Sequence, residues 1–194
     1  YELVQTWSGF VYHMTCRGSR FADGAKRNPN GEVFMKNRET DEWLKQNQRS
    51  TRNFIRKWGH FVKHDAFMKP IVPPKYDIGF VVNNCTYEML YELEPWCSTI
   101  YVSPEHIAGY IGMEQDTTLF NLKDRVKYDS DEVTNDIVVE FDNREFTSEQ
   151  FNYIAQLSEI LKDSGTVGEM ELGVFKITIN SLETYEGELI KCDV

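Results

Sequence analysis

The chain lacks any apolar stretch long enough to cross a membrane, and its cysteines lack the spacing of a metal or redox motif. A transmembrane helix needs about eighteen or more consecutive apolar residues, and no run approaches this length. The start of the chain has neither a basic region nor an apolar core, so we expect neither secretion nor membrane spanning. Cys16, Cys85, Cys97 and Cys192 are scattered, which favours ordinary thiols in a reducing, cytoplasmic compartment.

Glycine-rich phosphate-binding motifs are also missing. Gly79 lies inside an apolar run, and the turn after that run reads Asn-Asn-Cys-Thr instead of Gly-x-Gly. There is no internal repeat and no low-complexity tract. A hydrophobic content of 41%, with 13% aromatic residues, is enough for a buried core, so the composition is that of a globular protein.

Charge is distributed unevenly along the chain. The formal net charge is −10, but residues 1–75 carry +7 and residues 76–194 carry −17. Pro70, Pro73 and Pro74 lie where the sign changes, and proline cannot continue a helix. We therefore predict a basic segment over residues 1–70 and an acidic domain over residues 71–194. The acidic part disfavours both nucleic acid and an anionic membrane surface as partners.

A strand, a helix and a second strand are predicted over residues 75–102. Residues 78–82 form an unbroken apolar run, typical of a strand covered on both faces. Thr86 can cap a helix over residues 87–94, which Pro95 ends. Residues 99–102 form the second buried strand. The connection is too long for a hairpin, so the two strands should pair in parallel.

The rest of the acidic half continues this alternation. We predict a helix over residues 104–111, strands over 117–122 and 136–141, and a helix over 148–161 that Gly165 ends. Residues 169–180 alternate apolar and polar side chains, which predicts one long strand with a bulge near Gly173. The fold class is therefore α/β: a basic strand-plus-long-helix segment followed by a three-layer domain with a mixed, partly parallel sheet.

Two places in the acidic half are candidates for binding. An open α/β sheet binds ligands at the carboxyl ends of its strands, and these ends carry Asn83, Asn84, Ser103 and Asp142. An acidic loop could hold Ca²⁺ weakly, although a solvated loop explains it better; its carboxylates are Asp124, Asp129, Asp131 and Glu132.

The basic segment begins with a strand that ends at His13. Arg17 and Arg20 follow on a Gly-Ser turn, and their forked donors suit a diphosphate; a solvated basic turn is the alternative. After a loop, a helix is predicted over residues 41–62. Its predicted apolar face comprises Phe54, Ile55, Trp58 and Val62. The helix also carries a stripe of basic side chains, which is either a binding site for a polyanion or a solvated face. The stripe comprises Lys45, Arg49, Arg52, Arg56 and Lys63. His60 and His64 stand one helical turn apart, but no third metal ligand follows.

The order of these features resembles the C-terminal part of the GT-A nucleotide-sugar glycosyltransferases of the family 2 type. The resemblance covers residues 1–65 and comprises the strand ending at His13, the basic Gly-Ser turn, the loop, and the helix ending Asn-Phe-Ile-Arg-Lys-Trp-Gly at residue 59. It implies that His13 is a ligand of a catalytic Mn²⁺ or Mg²⁺ and that Arg17 and Arg20 contact the sugar-nucleotide diphosphate. It also implies a structural role, at the end of the helix, for Asn53, Phe54, Lys57, Trp58 and Gly59.

The family's Asp-x-Asp metal motif and catalytic base precede this histidine, and no Asp-x-Asp occurs in residues 1–75. We therefore expect the C-terminal portion of a longer, metal-dependent transferase that moves a sugar from a nucleoside diphosphate to a hydroxyl acceptor. Its catalytic residues remain unknown. The alternative is a non-catalytic protein-binding or self-assembly module, in which the basic helix and the acidic domain provide complementary surfaces.

Overall fold

A six-stranded mixed sheet forms the centre of the structure. The computed structural model describes residues 40–185, so His13, Arg17 and Arg20 lie outside the described residues. The chain divides into two compact units, Tyr1–Asn47 and Gln48–Val194. The second unit contains the sheet, its helices and the last part of the first long helix.

The long helix, α1, spans Asp41–Trp58. Thr40 caps its start, since its Oγ1 accepts a hydrogen bond from the Trp43 amide, and Gly59 ends it with a φ of 76°, a conformation that favours glycine. The helix is therefore shorter than predicted. Its predicted apolar face is partly wrong, because Ile55 is buried but Trp58 is partly exposed.

The parallel part of the sheet comprises β3 (Ile78–Asn83), β4 (Thr99–Val102), β5 (Val126–Tyr128) and β6 (Ile137–Asp142). The antiparallel part is completed by β7 (Gly168–Leu172) and β8 (Phe175–Ile179). The six strands lie in the order β5-β4-β3-β6-β8-β7. The parallel pairing of β3 and β4 confirms the strand-helix-strand prediction.

The helices of the second unit pack their apolar side chains with one face of this sheet. They are α2 (Tyr87–Leu93), α3 (Ile107–Glu114), α4 (Leu122–Arg125) and α5 (Ser148–Ser164). The shared core contains fully buried side chains from strands and helices alike, among them Phe80, Leu90, Tyr110, Leu161 and Ile177. Short 3-10 helices at Glu94–Trp96, Gln115–Thr117 and Asn143–Glu145 adjoin them.

The opposite face of the sheet is crossed by the connection from β5 to β6. Tyr101 points to this face, because its neighbour Ile100 is in the core, and its hydroxyl donates to Asn135 Oδ1 over 3.1 Å. Asn135 also lies against Gly79, where an added Cβ would come within 2.3 Å of Oδ1. Asn135 is buried and donates to Asp77 Oδ1. The absence of a side chain at Gly79 thus lets the connection pass close to β3.

Local signals in the acidic half predicted the caps of α2 and α5 correctly and the other elements less well. Helix α3 (Ile107–Glu114) begins and ends three residues later than the predicted 104–111. Thr86 caps α2 through a hydrogen bond from the Met89 amide, and α5 begins with a capping box at Thr147 and ends at Gly165. The strand predicted over residues 117–122 is wrong: this stretch is a turn that leads into α4, and the strand follows at β5. The long strand over 169–180 is also wrong, because Gly173, with a φ of 61°, turns the chain between β7 and β8.

A separate two-stranded hairpin follows α1. It pairs β1 (Lys63–His64) with β2 (Pro70–Ile71) in antiparallel fashion. His60 and His64 therefore do not share a helix face.

The structure confirms the α/β class and the mixed, partly parallel sheet. Among the described residues, no helix has the length and apolar character required to cross a bilayer. The second unit includes residues 48–70, which the sequence assigned to the basic segment; the predicted bounds, 1–70 and 71–194, stay a prediction.

Candidate functional site

Glu94 is the centre of the most highly connected group of charged side chains in residues 48–185. Its carboxylate is fully buried in the 3-10 helix after α2. Arg56 Nε donates to Oε2 over 2.9 Å, and Tyr110 Oη donates to the same oxygen over 2.8 Å. Arg125 Nε donates to Oε1. We call these residues, together with Arg52, the Glu94 cluster.

Arg52 is attached to the edge of this cluster. Its guanidinium donates to the Tyr110 hydroxyl over 2.7 Å and to the Tyr91 carbonyl, and it lies over the Tyr91 ring. Glu114 Oε2 is 3.4 Å from it. Arg52 and Arg56 are both buried, so the predicted solvent-facing basic stripe is wrong at these two positions. They join α1 to α2, α3 and the 3-10 helix of the second unit.

The electrostatics of the cluster explain why a buried carboxylate stays ionised. Burial alone raises the pKa of Glu94, but the guanidiniums of Arg125 and Arg56 outweigh it and hold that pKa down at about 2. Burial likewise lowers the pKa of Arg56, and Glu94 more than compensates by raising it. Burial and the negative charge of Glu94 both raise the pKa of Tyr110, so its hydroxyl remains a donor. Glu94 and Arg56 therefore stay charged, and the Tyr110 hydroxyl stays protonated, near neutral pH.

Lys75 binds the C-terminal end of α1. Its Nζ donates to the carbonyl oxygens of Arg56 and Lys57 over 2.9 and 3.0 Å, which lack helical partners at a helix end. Burial lowers the pKa of Lys75 to about 8, and Arg125 adds to this effect. The adjoining cavity, lined in part by Trp96 and Cys97, measures about 10 Å³, room for at most one water molecule.

The carboxyl edge of the parallel strands was the predicted ligand site of the acidic half. The structure brings three of its four residues together there. Asn83 and Asp142 are register partners in β3 and β6, and Asn84 Nδ2 donates to Asp142 Oδ2 over 2.9 Å. The chain continues from β3 to β4 on one side of this edge and from β6, through α5, to β7 on the other, so the strand order reverses here. Ser103 is bound separately to Asp129.

The polar groups at this edge satisfy one another. Asp142 accepts from the side chain and backbone of Arg144, which lower the pKa of Asp142 to about 2. Asn143 Nδ2 donates to the Asn84 carbonyl. Asn84 has a φ of 53°, so its backbone is held in the left-handed region by these bonds. The edge is thus a stable turn whose exposed Arg144 faces water.

The remaining predicted metal sites do not form within residues 40–185. No group of three His, Cys, Asp or Glu side chains there has the arrangement to hold a metal ion. In the acidic loop, Asp131 accepts from the Tyr128 amide and Asp124 accepts from Asn121, so each of these carboxylates supports its own turn. Cys85 and Cys97 are buried and free; burial raises the pKa of the Cys85 thiol to about 12 and also raises that of Cys97.

The Glu94 cluster was not predicted, although a signal for it exists. Glu94 stands one and four positions after the buried Leu93 and Leu90, so it lies on the apolar side of its helix. Arg52 and Arg56 likewise flank the buried Ile55. A charged residue at an apolar position indicates a buried partner of opposite sign, but only the fold reveals which residues meet.

No family model, no curated protein and no solved structure matches the chain.

Proposed function

We propose that the chain is the C-terminal portion of a metal-dependent glycosyltransferase that transfers a sugar from a nucleoside-diphosphate donor to a hydroxyl acceptor. The order of motifs in residues 1–65 carries this proposal, and its last part lies among the described residues. Helix α1 ends at Trp58, and Gly59 has a φ of 76°, as the resemblance to a Lys-Trp-Gly helix end requires. Within the second unit, this helix end is held by Glu94, which binds Arg56, and by Lys75, which binds the carbonyl oxygens of Arg56 and Lys57.

In this proposal Arg17 and Arg20 offset the charge of the donor diphosphate, because guanidiniums bind phosphate oxygens through paired donors. His13 contributes one ligand to Mn²⁺ or Mg²⁺, which would stabilise the departing diphosphate. One imidazole ligand is too few to hold Mn²⁺ or Mg²⁺, because both ions prefer several oxygen ligands. The resemblance places the Asp-x-Asp ligands and the base upstream of the histidine, so in this proposal they belong to a preceding part of a longer enzyme.

The experiment measures binding of a labelled nucleoside-diphosphate sugar in the presence and absence of Mn²⁺. It uses the 194-residue chain and a longer polypeptide that includes the upstream region. We expect metal-dependent binding by the longer polypeptide only, and its loss in His13→Ala with the circular dichroism spectrum unchanged. Lys162→Ala, at an exposed position of α5, is the control and should leave binding unchanged. Absence of binding by the longer polypeptide, or undiminished metal-dependent binding by His13→Ala, would count against the proposal.

A non-catalytic binding module is the second candidate, and strand β7 favours it. Within residues 40–185, β7 pairs only with β8, and it exposes Glu169 and Glu171. An extended basic segment could add to such an acidic edge through backbone hydrogen bonds. Size-exclusion chromatography would detect the complex between the chain and such a basic segment, and Glu169→Lys combined with Glu171→Lys should abolish it. A complex that both substitutions leave unchanged would exclude this edge as the binding site.

A further inference from the structure

Strand β7 lies at the end of the sheet and has one unpaired side. Within residues 40–185 it pairs with β8 alone. A turn of two residues, Gly173 and Val174, joins the two strands, and Leu172 and Phe175 are the register partners that close it. The residues that close such a turn exchange hydrogen bonds, and bonded pairs alternate with non-bonded pairs along an antiparallel ladder. This register determines which residues of β7 face outwards.

Glu169 and Glu171 are the residues whose backbone groups point away from β8. Met170 is the register partner of Ile177, and the alternation makes this a bonded pair, so the amide and carbonyl of Met170 face β8. Its two neighbours on the strand then direct their amides and carbonyls outwards. A row of unpaired backbone groups of this kind can accept a further strand.

The two faces of this edge differ in character. Ile177 is fully buried in the core, so its partner Met170 lies on the core side, as does Leu172. Successive side chains of a strand point to opposite faces. Glu169 and Glu171, which are both exposed, therefore lie on the other face. A strand added here would meet apolar side chains on one face and carboxylates on the other.

Helix α5 extends the apolar side of this edge. The ring of Tyr153 packs edge to face against the ring of Phe175, with centroids 6.4 Å apart, and Phe175 is the register partner of Leu172. Tyr153 is nevertheless 41% exposed. Since neighbouring strands lie about 4.8 Å apart, apolar side chains of an added strand would pack beside Met170, Leu172 and this ring.

The opposite face of this edge is acidic. Lys176 lies in register between Glu140 of β6 and Glu171. Glu169 has the neutral Thr178 as its partner on β8. One lysine therefore stands against three carboxylates on this part of the face. Opposite charges placed directly across two strands attract and like charges repel, so the face favours lysine or arginine in an added strand.

We propose that the outer edge of β7 binds an extended segment of another protein in which basic residues alternate with apolar residues. The backbone of this segment pairs with Glu169 and Glu171, its basic side chains lie beside their carboxylates, and its apolar side chains lie on the side of Met170. A second copy of this chain fits worse, because antiparallel pairing of β7 with β7 about Met170 puts Glu169 of one copy opposite Glu171 of the other. This inference rests on the binding-module candidate proposed above and is independent of the transferase activity.

Titration of the whole chain into labelled peptides, followed by fluorescence anisotropy, tests the proposal. One peptide alternates lysine with valine, a second has the same composition with the lysines and valines in separate blocks, and a third alternates glutamate with valine. We expect the alternating lysine peptide to bind about tenfold more tightly than the block peptide, since only alternation matches both faces. On binding, the amides of Glu169 and Glu171 should exchange hydrogen more slowly, whereas the Met170 amide, which already faces β8, should not change.

Charge reversal gives a test that a loss of folding cannot imitate. Glu169→Lys combined with Glu171→Lys should weaken binding of the alternating lysine peptide by about tenfold or more and should create binding of the glutamate peptide. The matched control makes the same change of charge on α2, where Glu88 and Glu92 are exposed. Glu88→Lys combined with Glu92→Lys should bind the peptides as the wild type does.

The proposal is overturned if the alternating lysine peptide does not bind, or if the variant with both β7 glutamates reversed fails to bind the glutamate peptide. Unchanged hydrogen exchange at Glu169 and Glu171 during binding overturns it as well. Equal binding of the block peptide overturns strand addition but leaves an acidic binding surface, so the binding-module candidate would survive that result.

Discussion

At the scale of single residues, Glu94 determines how the second unit is held together. One carboxylate accepts hydrogen bonds from α1, α3 and α4. Breaking a buried ion pair by removing one partner is costly, because the other charge stays in a poorly solvating environment. The three arginines around Glu94 make this cost larger than that of an ordinary surface pair.

We predict that Glu94→Gln lowers the free energy of unfolding by roughly 3–5 kcal/mol. The substitution preserves the shape of the side chain and removes the charge that balances Arg56 and Arg125. Urea unfolding followed by tryptophan fluorescence measures the effect. Glu159→Gln is the control, because it breaks the half-exposed pair with Lys63 and should cost no more than about 1 kcal/mol. Equal losses in the two variants would contradict the prediction.

The lowered pKa of Glu94 predicts an acid-dependent loss of stability. A carboxyl group with a pKa of about 2 in the folded chain and 4.5 as its ordinary value stabilises the fold above pH 4.5. This contribution, about 3 kcal/mol, should be lost as the pH falls from 4.5 towards 2. The difference in unfolding free energy between the wild type and Glu94→Gln should therefore shrink over this range. A difference independent of pH would contradict the assigned pKa.

At the scale of the elements, the passage of the β5–β6 connection over β3 depends on one glycine. Gly79→Ala would place a Cβ 2.3 Å from Asn135 Oδ1 and 3.0 Å from Asn135 Cβ. The Asn135 side chain cannot move far, because it is hydrogen-bonded to Tyr101 and Asp77. The position is thus constrained from the opposite face of the sheet.

We predict that Gly79→Ala costs about 1–3 kcal/mol of unfolding free energy through overpacking. Asn135→Ala should also destabilise, because it removes the partners of Tyr101 and Asp77. The double variant should lose less than the sum of the two, with a coupling of about 0.5–3 kcal/mol. Urea unfolding of the four proteins gives the coupling directly. Additive losses would show that the two residues are not in contact.

Signals from neighbouring residues predicted where helices and strands lie better than they predicted which elements contact one another. Thr86, Thr147 and Gly165 could be recognised because a cap acts within four residues of its own position. The two strands after Gly168 were merged because an alternating pattern continues through a tight turn at Gly173, and glycine suits a bulge as well as a turn. The apolar face of α1 was misjudged because Arg52 and Arg56 are buried by a carboxylate that lies about forty residues further on.

At the scale of the whole molecule, the structure gives a test of where the acidic domain begins. The sequence places the start at residue 71, where the net charge changes sign. The compact unit instead begins at Gln48, and it includes Arg52, Arg56 and the carbonyls bound by Lys75. The two starting points differ by residues that carry specific contacts, so truncation can distinguish them.

We predict that a chain of residues 48–194 unfolds cooperatively, whereas a chain of residues 71–194 is less stable by several kcal/mol. The shorter chain retains Glu94 and Arg125 but loses the Arg56 partner, and removal of one partner of a buried pair costs roughly 3–5 kcal/mol. Thermal unfolding by circular dichroism compares the two. Equal transition midpoints would favour the boundary at residue 71.

The sequence predicted that the sheet is mixed, but it could not predict the order of the strands in the sheet. Alternating strands and helices indicate a mixed α/β sheet, because parallel strands need long connections. The candidate residues at its carboxyl edge were partly grouped for the same reason, since parallel strands end on one side. The pairing of β3 with β6 could not be read from the pattern, because it joins residues almost sixty positions apart.

The connection laid across the second face of the sheet also implies a sequence of events during folding. Residues 129–136 can take their path only after β3 and β4 lie side by side, since Gly79 and Tyr101 supply the surface on which Asn135 rests. The β7–β8 hairpin closes through neighbours and can form early, while the β3–β6 pair must wait for a distant encounter. The last native contacts to appear should therefore be those of Asn135, and slow protection of the Ile137 amide against hydrogen exchange would record that final step.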